Sequence, residues 1–116
     1  MKAIKRELPH LGITVHMTDS RDKAKKLVET HLKESAADMF NEDVCGMVYF
    51  TKSTAIMCVA DNKLSSLCHE CFHLGVYIAE DINGDTHGDS EPYAYAADYC
   101  FREFLEHIWG IEDAQA

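Results

Sequence analysis

The segment from Asp61 to Asp81 constrains this chain more than any other, because its residues sort onto two sides of one helix with opposite requirements. Leu64, Leu67, Cys68, Cys71, Leu74 and Ile78 recur at helical spacing and gather on one side, as a helix laid against a sheet requires. On the other side stand His69 and His73, four residues apart. At about 100° per residue their imidazoles project from one face, a single turn apart, so that both can grip one divalent ion. Glu70 points about 100° away from His69, beside such an ion, where a carboxylate can take a proton from water. The helix must bury one face and leave the other open.

The flanking sequence supplies a surface for that helix to pack on. Ile13 to Met17 is short, β-branched and preceded by Pro9 and Gly12, which reads as a strand. Cys45 to Thr51 and Ala55 to Ala60 are apolar runs joined by Lys52-Ser53-Thr54, the arrangement of a hairpin. Thr18 to Asp22 offers caps for an amphipathic helix in which Ala24, Leu27, Val28, His31, Leu32, Ala36 and Met39 recur through about Phe40. A last helix opens near Ser90 with Glu91 and Pro92 in its first turn and ends near Trp109-Gly110, before a frayed tail from Ile111. Between them Asn83 to Asp89, rich in Gly and Asp, is a loop. The expectation is one α+β domain over residues 1–116, a three-stranded sheet with about three helices packed on one side of it.

A catalytic zinc site needs a third protein ligand and an open position for water. Glu91 is the best candidate, eighteen residues after His73, with room for the chain to turn and bring a second helix alongside. There Glu91, Tyr95, Asp98 and Arg102 share one polar stripe. His87, Asp85 and Asp89 in the loop are rivals for the third position. Asp81, Asn83 and Asp85 lack the Gly and the twelfth-position Glu of a calcium loop, and Glu80 lies too far beyond His73 for the same ion. Cys68 and Cys71 have CxxC spacing but fall on the core side of the wheel, so they read as packing residues and not as a thiolate site.

HECFH followed by Glu91 in a second helix resembles the gluzincin branch of zinc metallopeptidases. The finer pattern, Leu67 to His73 and then Ser90-Glu91-Pro92-Tyr93-Ala94-Tyr95, is similar to small zincin-like proteins encoded by phages and prophages. The likeness covers roughly residues 44 to 108. It implies Zn2+ held by His69, His73 and Glu91, with Glu70 as general base. Many gluzincins carry Asp four residues after the ligand Glu, whereas this chain has Tyr95. Asp98 then becomes the candidate acceptor that orients a ligand histidine, and Tyr95 or Tyr93 the candidate donor to an oxyanion. No third His follows His73 at metzincin spacing.

The function expected from these residues is hydrolysis of a peptide bond in a peptide or protein substrate. The alternative is a metal-stabilised, non-catalytic binding or inhibitor protein directed at a host or viral protein. A formal charge of −9 argues against nucleic acid as partner, since the dense basic stretches are confined to Lys2–Arg6 and Arg21–Lys26. An acidic DNA mimic rests on charge alone. Five cysteines in irregular spacing favour reduced thiols, and the N-terminus runs into charge instead of an apolar export region. With no long apolar segment for a membrane, the expected location is the cytoplasm, a host's for a phage-encoded protein.

Overall fold

Alternation along two strands decides the layering. The computed structural model describes residues 2–9, 11–32, 45–51, 53–83 and 91–111. Strands β1 (Ala3–Leu8), β2 (Ile13–Thr18), β3 (Gly46–Phe50) and β4 (Thr54–Val59) form one sheet in the order β1-β2-β4-β3. Neighbours pair antiparallel except β2 and β4, which run parallel with Val15 opposite Ala55 and Met17 opposite Met57. Ile13, Val15, Met17, Ala55, Met57 and Val59 point to one face and pack with Leu67, Leu74 and Ile78 of α2 (Leu64–Asn83) and Cys100 and Phe104 of α3 (Glu91–His107). Ile56 and Cys58 point the other way, onto Ala24 and Val28. Burial on both faces explains why residues 55–59 are apolar without interruption.

The general class is therefore α+β, as expected, but the sheet has four strands and helices cover both of its faces. The missing strand was β1, whose Lys5, Arg6 and Glu7 read as a charged stretch. Those side chains suit an edge strand, which has a row of unpaired backbone groups to protect. On the second face, Ser20 caps α1 (Arg21–Leu27) by accepting from the Lys23 amide at 3.2 Å. The chain continues as a π-helical turn, Val28–Leu32. The remainder of the helix expected to reach Phe40 lies outside the described residues, as do His87, Asp85 and Asp89 and the tail beyond Ile111.

α2 differs from its expected wheel in one respect: Leu67, Cys71, Leu74 and Ile78 are buried, whereas Leu64 and Cys68 are exposed. With a real helix seated on a twisted sheet, the buried arc is narrower than the apolar arc of the sequence. α3 crosses α2 at Gly75, where a methyl group would stand 3.5 Å from both Ala97 Cβ and the Tyr93 carbonyl oxygen. Among the described residues, no helix is long and apolar enough to cross a membrane.

Candidate metal centre and cleft

The approach to the centre is set by the turn before α2. Asn62 takes a positive φ of 58°, and the Asp61 carboxylate accepts from the Lys63 amide at 3.1 Å and from Ser66 Oγ at 2.6 Å. The Ser66 hydrogen bond, chief among these contacts, holds the Asp61 carboxyl below its ordinary value. α2 thus starts at a defined point after β4, and its register fixes where the two histidines emerge.

His69 Nε2 and His73 Nε2 face one another 3.0 Å apart, with ring planes at 81°. Two such nitrogens bound at about 2.0–2.1 Å to a tetrahedral ion stand roughly 3.3 Å apart, so a small opening of the rotamers admits the metal. His69 is exposed and His73 half-buried, which leaves the outer positions of such an ion open. The donor set fits zinc in two of its ligands.

Glu70 occupies different ground. It is buried, at 7% exposure, and turns toward β3, where a Cβ on Gly46 would stand 2.8 Å from its Oε2. Burial raises its carboxyl above the ordinary value, opposed by the positive charge that His69 and His73 can carry and assisted by Asp61. His69 and Glu70 form one wall of a cleft of about 560 Å³ whose other lining residues are Cys45, Gly46, Met47, Ser65 and Ser66. The cleft therefore opens along the outer edge of the sheet.

The expected site residues come together only in part. His69, Glu70 and His73 are assembled in the N-terminal half of α2. Glu91 begins α3, and its side chain lies outside the described residues. Tyr95 is 69% exposed and stands outside the cleft lining. Asp98 pairs with Arg102 at 3.2 Å on the exposed side of the helix. Cys71 is buried with Sγ 3.9 Å from Met57 Sδ, and its thiol is pushed far up by burial, which suits packing and not metal ligation.

A second cluster was not singled out by sequence. Glu103, Glu106 and His107 place their potential ligand atoms within 4.8 Å of one another. Their i, i+3, i+4 spacing was the available signal. Glu103 is bound to Arg6 Nε at 2.6 Å, so this group first of all ties α3 to β1, at the sheet edge opposite β3. No protein-family model, curated protein or solved structure matches this chain.

Proposed function

We propose that the chain is a zinc-dependent peptidase in which His69 and His73, with Glu91 as third ligand, hold the ion and Glu70 moves the proton. The observation that carries this reading is the convergence of the two Nε2 atoms at 3.0 Å beside a buried carboxyl in the wall of an open cleft. Zinc, when bound, supplies Lewis acidity toward a peptide carbonyl and toward water. Glu70 is held off the ion by its place against Gly46, and its raised proton affinity suits it to accept a proton from water and return it to the departing amine.

Two further features support the reading. Among the described residues β3 is at the edge of the sheet, and it contributes Gly46 and Met47 to the cleft, so an extended peptide can add to it by backbone hydrogen bonds. The Tyr93 carbonyl approaches Gly75, two residues beyond His73, so the first turn of α3, which begins at Glu91, packs against the same stretch of α2.

The test is Glu70→Gln. Elemental analysis should find one zinc per chain retained, while hydrolysis of peptides falls by about 10²–10⁴-fold; undiminished hydrolysis eliminates the peptidase. A second reading, a metal-stabilised binding protein, is favoured by the exposed row Leu64, Cys68 and Phe72, the last 69% exposed. Under that reading Glu70→Gln leaves partner capture unchanged.

A further inference from the structure

The stripe of α2 that carries the histidines does not stop at His73. Tyr77 is one turn on, and Glu80 and Asp81 one turn further. The Tyr77 ring stacks on His73 with centroids 5.9 Å apart and on Phe50 of β3 with centroids 6.4 Å apart, so it stands between the metal-binding pair and the far end of the edge strand. Beyond it lies a pocket of about 410 Å³ lined by Val48, Tyr49, Phe50, Tyr77, Glu80 and Asp81. Phe50 and Tyr77 give it two aromatic rings on the α2 side of the sheet, Tyr49 belongs to the strand but packs on the other face, and the two carboxylates on α2 are both exposed.

We infer that this pocket binds the cationic side chain, arginine or lysine, of a peptide lying along β3. Aromatic faces attract a guanidinium or ammonium group, and a pair of carboxylates accepts its N–H groups. A neutral apolar side chain entering the same space gains nothing from the two exposed carboxylates, whereas a cation gains a charge-assisted contact. The chain's net charge of −9 draws basic peptides toward the groove in the first place.

Register along β3 gives the spacing. Gly46 stands beside Glu70 and Phe50 beside Tyr77, and strand residues rise about 3.3 Å each. A basic residue in the pocket is therefore removed by roughly two to four residues from the bond that Glu70 serves. As a specificity subsite the pocket rests on the peptidase reading; as a cation-binding site it does not.

Calorimetric titration of the Glu70→Gln protein with a blocked polyalanine peptide bearing one arginine, and with its citrulline counterpart, tests this directly, since citrulline keeps the shape and removes the charge. The arginine peptide should bind about tenfold tighter, and the double variant Glu80→Gln/Asp81→Asn should bring the two peptides to parity with an unchanged melting temperature. Equal affinities, no binding of the arginine peptide, or a preference that survives the double variant overturns the inference. Incubation with the wild-type protein separates the two claims. Arginine preference without hydrolysis keeps the pocket and removes the peptidase, whereas hydrolysis at equal rates with or without a basic residue keeps the peptidase and removes the pocket.

Discussion

At the scale of single residues, the contact between Gly46 and Glu70 decides most. The carboxyl lies where any larger residue at position 46 would put its Cβ: Oε2, Cγ and Cδ of Glu70 stand 2.8, 2.9 and 3.1 Å from it. These are three consecutive parts of a buried side chain, so the conflict cannot be relieved by swinging one terminal atom. Gly46→Ala should cost about 1–3 kcal/mol in denaturant unfolding and displace the general base, lowering hydrolysis with it. The double variant Gly46→Ala/Glu70→Ala should recover much of the stability and none of the activity. A Gly46→Ala protein as stable and active as the parent would show that Glu70 does not depend on this wall. Gly46 owes its importance to close approach alone, since its backbone is ordinary strand.

At the scale of elements, the π-helical turn Val28–Leu32 brings His31 over His16 of β2, the rings stacked with centroids 4.5 Å apart. His16 is buried, and burial first, then the charges of His31, Lys5 and Lys23, lowers its pKa below 6.5. Above pH 6.5 the ring is neutral in folded and unfolded chains alike, and the arrangement contributes its full stability. As pH falls below that value the unfolded chain takes up a proton that the folded chain refuses, so stability drops until folded His16 itself titrates. Melting temperature should therefore decline from pH 7.5 to 5.5, and the decline should be shallower in His16→Phe; equal slopes would assign the effect to other groups. Neither this stack nor its consequence was legible in the sequence, where His31 was one more residue on a periodic helix. β2, β3 and β4 were legible as short apolar or β-branched runs bounded by turn residues, α2 by its helical spacing, and α3 by the acid and proline of its first turn. β1 was not, since its pairing with β2 outweighs a weak local pattern. At the candidate site the spacing within one helix was enough to put His69 and His73 on one face and Glu70 to its side. The wall at Gly46 and the pocket at Phe50 and Tyr77 depend on how β3 lies against α2, a register that no local pattern records.

At the scale of the whole molecule, the proposed ion would join the two helices that cover one face of the sheet. α2 supplies both imidazoles, and α3 is held against it through Gly75 and through the shared core of Leu74, Ile78, Cys100 and Phe104. An ion that binds this arrangement and not the unfolded chain stabilises it by about 2.7 kcal/mol at a free concentration one hundred times Kd, which is roughly a 10 °C rise in Tm for a chain of this size. Zinc addition to metal-free protein should produce such a rise, chelation should reverse it, and His73→Ala should abolish it. The same titration locates the third ligand. The sequence pattern sets Glu91 in the first turn of a helix and His87 in the Gly- and Asp-rich stretch before it, and ligands carried on helices are held more rigidly than ligands carried on loops. Glu91→Ala should accordingly weaken zinc affinity more than His87→Ala. The reverse order would move the third ligand into the connection between the helices, and an unshifted Tm with zinc in the wild-type protein would remove the metal from the account altogether.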